Sequence, residues 1–278
     1  MFRFVCCFVA LCPIFLWATE ILRPVSAPTN VISEETAFEL YDDVYSLDEV
    51  VSAEYSPWAP ISIYADASFR FLSYSYEFST RGYIHNYCNL HVNGFNETYL
   101  GMKAFFLEHF GVDLNWRFPP GEGSQRDRFH RLNVEPYAIY TFTNLLRGGL
   151  SIRYNTFLED KKYKPGDEFG VRGSITWNFF WIDYMYTGWQ MDVSLLYQQR
   201  INESENRNLD KPYQKMKDAY KGIKAKIELM RHLTIYEHPI AFGITTEYHT
   251  GTIFGFESGY RIGIKLDAAL KKPKRRNI

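Results

Sequence analysis

The chain repeats one pattern in about ten separate stretches: strict alternation of apolar and polar side chains with a period of two residues. Residues 110–118 read Phe-Gly-Val-Asp-Leu-Asn-Trp-Arg-Phe, with an apolar side chain at every even position. A β-strand turns successive side chains to opposite faces, so such a stretch has one oily face and one polar face. The same alternation runs through residues 61–74, 98–107, 129–142, 148–158, 169–181, 189–199, 219–229, 240–248 and 256–268. It places Phe69, Phe71, Trp116, Val134, Ile175, Trp177, Val193, Ile244, Ile262 and Ile264 on one side of the sheet, and Arg70, Arg117, Arg153, Arg172 and Arg261 on the other.

The start of the chain narrows what such a sheet is for. Arg3 is the only charge before Ala18, and Phe4 to Trp17 is apolar. This reads as a secretory signal peptide, residues 1–18, cut near Ala18. Pro13 and the shortness of the run argue against a retained transmembrane helix. Aromatic residues make up 18% of the chain although its mean hydropathy is slightly polar, −0.29. Strands with one watery face, ringed by aromatic girdles at two membrane interfaces, account for both. The expected fold is all-β, an antiparallel up-and-down transmembrane β-barrel of about ten strands over residues 59–270. A missed or spurious strand around residues 75–97 or 200–235 would make it eight or twelve. The connections alternate accordingly. Stretches 75–97, 119–128, 159–167 and 200–218 are long, whereas those near 108–109, 144–147 and 182–188 are short. Long outer loops and short periplasmic turns are the rule for such barrels, which puts both termini in the periplasm.

Residues 19–58 carry Glu20, Glu34, Glu35, Glu39, Asp42, Asp43, Asp48, Glu49 and Glu54 against the single base Arg23. They are read as an acidic periplasmic segment outside the barrel. Ser33 is placed to cap a short helix that would gather Phe38, Tyr41 and Tyr45 on one face. Residues 271–278 are a basic tail.

The last strand adds a resemblance. Arg261-Ile262-Gly263-Ile264-Lys265-Leu266-Asp267-Ala268 resembles the C-terminal assembly signal of bacterial outer-membrane β-barrel proteins, a polar residue and a glycine followed by alternating hydrophobics. It departs from that pattern because the chain does not end on an aromatic residue. The resemblance implies a place in the bacterial outer membrane, lipid as the surrounding partner, and delivery by the barrel-assembly machinery through this strand. The leader and the aromatic, cysteine-poor body also resemble chlamydial envelope proteins.

Cys6, Cys7 and Cys12 leave with the leader, so Cys88 is the one cysteine of the mature chain. An internal disulfide is excluded, and Cys88 is the candidate for a cross-link to another envelope protein from an outer loop. No His/Cys cluster has metal-ligand spacing, so neither metal nor cofactor is expected. A net charge of −1 gives no case for a nucleic-acid partner.

The polar face holds charges of both signs: Asp66, Arg70, Lys103, Asp113, Arg117, Glu135, Arg153, Arg172, Asp192, Lys226, Glu228, Glu247, Glu257, Arg261 and Lys265. In a ten-stranded barrel side chains largely fill the interior, and buried charges must pair. The leading expectation is a structural, surface-exposed or adhesive barrel with a filled lumen. A narrow porin-like channel for small solutes is the alternative. A hydrolase of the omptin type is the third reading. It rests on Glu247 and His249, two residues apart and so on one inner face near the outer rim, where a carboxylate–imidazole pair can activate water. Omptin-like sites have an aspartate at the first position and an acidic pair opposite. Here Asp113 is followed two residues later by Asn115. The chain is therefore not expected to be an enzyme.

Overall fold

The computed structural model describes residues 22–41, 44–58, 60–80, 84–118, 129–159, 163–182, 187–202, 205–206, 221–235, 238–251 and 258–270, with residues 41, 44, 72–80, 84–93, 96–97, 163 and 205–206 as backbone only. They form strands β1 (Val31–Tyr41), β2 (Val44–Trp58), β3 (Ile61–Thr80), β4 (Ile84–Phe106), β5 (Phe110–Phe118), β6 (Arg131–Thr143), β7 (Leu146–Phe157), β8 (Tyr163–Lys164), β9 (Glu168–Ile182), β10 (Thr187–Arg200), β11 (Glu205–Asn206), β12 (Lys221–Ile235), β13 (His238–Thr250) and β14 (Ser258–Ala269). Twelve of them close into one barrel in the order β1-β2-β3-β4-β5-β6-β7-β9-β10-β12-β13-β14. β8 and β11 pair as a small ribbon between two loops.

The barrel has twelve strands, not ten. The two extra strands come from the acidic segment, which is neither helical nor outside the barrel. β1 runs antiparallel to β14 from Val31 opposite Ala269 to Leu40 opposite Tyr260, and this pairing closes the cylinder. The alternation explains why: Glu35, Ala37 and Glu39 are buried in the lumen, while Phe38 and Leu40 face out. In β2, Ser46, Asp48, Val50, Ser52 and Glu54 point inward, opposed by outward Tyr45, Leu47 and Tyr55. Closure leaves no sheet edge within the wall, so each wall strand finds its hydrogen-bond partners on both sides.

Residues 75–97 are not a loop either. β3 and β4 continue as a two-stranded ribbon past the ends of their neighbours. β2 reaches only Tyr74 of β3, and β5 only Thr98 of β4, whereas β3 and β4 pair as far as Thr80 opposite Ile84. The backbone of Cys88 lies in this ribbon opposite Tyr76, and its side chain lies outside the described residues, as does all of Glu257.

The outside is a hydrocarbon surface. Ile264 is 70% exposed, and Ile175, Trp177, Val134, Trp116 and Ile244 stand out beside it around the wall. Aromatic side chains collect at both rims. Trp58, Phe106, Phe110, Tyr140, Phe142 and Phe180 ring the short-turn end. At the long-loop end Tyr248 packs on Tyr260 with ring centroids 4.8 Å apart, and Trp116 stacks on Phe118 at 5.3 Å. A band of aliphatic residues between two girdles of amphipathic rings is what a lipid bilayer selects. The three-residue turn 107–109 is made unusually: Leu107 and Glu108 both adopt positive φ, 51° and 61°, a handedness that favours a tight β-hairpin.

Candidate functional site: the lumen

Widening the barrel by two strands leaves more interior than wall side chains alone can fill. Part of that space is taken by the chain itself. Residues 22–30, which have no regular secondary structure, enter at the short-turn rim and climb through the lumen. Asn30 anchors them at the rim, where its carbonyl accepts from Leu270 N at 3.0 Å and its side-chain oxygen from Ser56 N at 2.9 Å. Higher up, Thr29 N donates to Glu54 at 2.8 Å, Val25 N to Ser174 Oγ at 2.9 Å and Leu22 N to Glu247 at 3.3 Å. Arg172 donates to the carbonyl of Arg23 at 2.9 Å, and the Arg23 guanidinium pairs with Asp66 at 2.9 Å. Alternation could not mark these nine residues, because they carry no periodicity.

The lumen then divides into two unlike halves. On the side of β12–β14 and β1–β3 it is solid with ion pairs. Lys226 Nζ lies 2.9 Å from Glu35 and 2.8 Å from Glu228, and Lys265 reaches the other oxygen of Glu228 at 2.8 Å. Thr245 Oγ1 donates to Glu35 at 2.9 Å, with Arg261 3.6 Å from the same oxygen. Toward the long-loop end, Arg70 holds Asp48 through two hydrogen bonds of 2.7 and 3.0 Å and also binds Glu39. The acids of β1 and β2 are thus central to the network. Their inward parity is visible in the sequence, although the run of acids reads there as a periplasmic segment outside the barrel.

Glu247 and His249 belong to this solid half. Glu247 pairs with Lys224 at 3.1 Å and accepts from Leu22 N. His249 is 0% exposed, opposite Lys224 on one side and Gly259 on the other. Both side chains are buried among the described residues. Among the described residues no group of His, Cys, Asp and Glu is arranged to hold a metal ion.

The half facing β3–β7 and β9 keeps space that wall side chains leave unfilled and that residues 23–26 only partly occupy. A cleft, open to solvent on one side, runs between residues 23–26 and the wall, lined by Tyr64, Asp66, Ser68, Tyr99, Lys103, Asp113, Asn115, Glu135, Tyr137, Arg153 and Arg172. Its charges are held against the wall. Glu135 takes Arg172 at 2.6 Å, Arg153 at 3.2 Å and the Ser151 hydroxyl at 2.5 Å. Lys103 pairs with Glu54 at 2.8 Å, and Tyr64 donates to Asp113 at 2.7 Å. Arg117 is buried in the lumen opposite Arg131 at the long-loop end, and Asp192, in the wall of β10, accepts from Gln190 at 2.5 Å and from Thr176. The two large rings are kept out of the way by glycine. Tyr64 lies over Gly101 and Tyr137 over Gly111, each its directly paired cross-strand neighbour.

No protein-family description matches the sequence, and no curated protein matches it. Solved structures do. The NanC porin superposes with a TM-score of 0.56 at 10% identity, over 86% of this chain and all of that one, 100%. The outer membrane channel COG4313 from Pseudomonas putida F1 superposes with a TM-score of 0.57 at 8% identity, over 90% of this chain and 99% of that one. The fold is that of the bacterial outer-membrane β-barrels. At such low identity the likeness concerns the outer-membrane barrel itself, its closure and its layout, and leaves the lumen of this one to be read from its own residues.

Proposed function

We propose that this chain is a narrow channel of the bacterial outer membrane for small polar solutes, with the β3–β9 side of its lumen as the path. The observation that carries the reading is the cavity beside residues 23–26. Its wall keeps that space clear, with Tyr64 and Tyr137 over Gly101 and Gly111 and with Lys103, Asp113, Glu135, Arg153 and Arg172 drawn to wall partners, while Asp66 takes Arg23 of the segment. A conducting lumen needs polar groups that solutes can pass without being held, and paired charges with hydroxyls and amides satisfy that. The barrel likeness to NanC and to the COG4313 channel agrees with it. The fold and the aromatic girdles suit an outer-membrane location, with the long loops outside and the short turns in the periplasm.

A structural or adhesive surface barrel is the second reading. It is favoured by the solid ion-pair half of the lumen and by the β3–β4 ribbon that stands beyond the wall. Planar bilayers separate the two. The purified, refolded full chain gives discrete current steps if it is a channel. A chain that is heat-modifiable on gels, and hence folded, yet gives no steps under any voltage is a surface barrel.

A further inference from the structure

One feature of the lumen exceeds what a static channel needs: a socket for the N-terminal segment. Lumen-facing side chains of this barrel are mostly polar, yet Ile139 and Phe105 turn inward together beside Tyr137. Facing water, these apolar groups would be unfavourable. They are covered instead by Val25, which is 3% exposed, and by Ala27. Opposite them the wall is hollowed at Gly149, where a Cβ would stand 2.6 Å from Val25 Cβ. Socket and segment are therefore fitted in shape and in polarity.

The rest of the seating is different in kind. The segment's backbone is held by single side chains of the wall, Ser174, Arg172, Glu54 and Glu247, rather than by a strand ladder. Among the described residues its ion pair is Arg23 with Asp66. Each of these bonds has a ready replacement in water, so leaving the lumen exchanges them rather than forfeiting them. No residue of β1 has to unpair, because Asn30 sits at the rim just before the strand begins.

From this we infer that residues 22–29 are a seated plug: they close the path along β3–β9 at rest, and the barrel conducts when Val25 leaves the Gly149 socket. The proposal rests on the channel reading above and adds the part that shuts it. No atom of the wall needs to move for opening, which distinguishes it from a constriction made by the barrel side chains.

The test uses the full chain in planar bilayers, with Cys88→Ser as background where thiols are introduced. Gly149→Leu fills the socket from the wall side without altering the segment, and is expected to raise the open fraction about tenfold or more. Val25→Cys with Ser174→Cys places two thiols where Val25 N and Ser174 Oγ are 2.9 Å apart. The oxidised form is expected to be silent and to recover its openings on reduction. Heat-modifiable gel mobility of the same samples shows that each is folded. If wild type, Gly149→Leu and the oxidised pair all conduct alike, the plug is wrong and the channel stands. If Gly149→Leu and the reduced pair are folded and none conducts, the channel reading itself fails.

Discussion

Tyr64 lies flat across Gly101, its directly paired neighbour on the next strand, so closely that a Cβ on Gly101 would stand 2.2 Å from Tyr64 Cζ. A glycine in a strand weakens it, since it brings no side chain to pack and costs more backbone entropy. Here the neighbouring ring supplies the missing cover, a cross-strand rescue of the kind that stabilises curved sheets. The same pairing recurs with Tyr137 over Gly111. Both rings would otherwise project into the lumen. Laid down, they make a smooth wall and bring the Tyr64 hydroxyl to Asp113 at 2.7 Å.

Gly101→Val is therefore expected to push the Tyr64 ring off the wall, at about 1–3 kcal/mol for the forced repacking. It should also lower single-channel conductance. Paired with Tyr64→Ala, which removes the ring, the same valine should cost much less. Urea unfolding in detergent, followed by gel mobility, measures both.

The ion pairs of the two environments differ in weight. Glu35 meets Lys226, Thr245 and Arg261 with almost no water around it. Glu35→Leu strands those cations, and the expected loss is about 3–5 kcal/mol. Lys164 and Asp167, 3.5 Å apart at the long-loop end, are in reach of solvent. Lys164→Ala should cost less than about 1 kcal/mol. Equal losses in the two variants would contradict the contrast drawn here between a dry ion pair of the lumen and a wet one of the loops.

The outer face gives a third expectation. Ile175 is 54% exposed in the aliphatic band, so Ile175→Arg should disfavour the inserted barrel by about 2–4 kcal/mol in vesicles. Ile175→Leu should be close to neutral. Reversible denaturation into lipid vesicles provides the comparison.

Much of this molecule was legible from a single periodicity. Parity alone separated Ile175 from Arg172 and Ile262 from Arg261, because a pleated strand leaves no other choice. β1 and β2 escaped for a physical reason. Glu34 and Glu49 stand at outward positions, so they break the clean apolar face, and Ser33-Glu34-Glu35 mimics the start of a helix. Residues 75–97 escaped because His85, Asn86, Asn89, His91 and Asn93 blur the alternation in a ribbon that passes beyond the wall. Partners in the lumen were out of reach for a different reason. Lys226 and Glu35 meet only after the barrel closes, since they are 191 residues apart. Residues 22–30 are held by single side chains of the wall and carry no pattern of their own.

Acid should loosen the outer loops around Asp167 only below the ordinary aspartate range. Burial would raise the Asp167 carboxyl, but hydrogen bonds from Thr156, Asn202 and Tyr154 and the charge of Lys164 outweigh it and hold the group below its ordinary 3.8. A carboxylate depressed in this way stabilises the fold above its unfolded pKa, and the contribution is lost as pH falls through the lower, folded value. The loop before β9 and the start of the loop after β10, joined through Asp167 and Asn202, should stay protected at neutral pH and become open to an acid-active protease only below the ordinary aspartate range. In Asp167→Asn that acid-dependent step should disappear, with the loops already looser at neutral pH.

The most direct measurement asks which half of the lumen carries current. In the Cys88→Ser chain, Asn115→Cys places a thiol in the cavity and Thr245→Cys places one within the ion-pair half. A small charged thiol reagent added to an active bilayer should reduce the current of Asn115→Cys in discrete steps and leave that of Thr245→Cys unchanged. Current that is blocked at Thr245→Cys and untouched at Asn115→Cys would contradict a path along β3–β9.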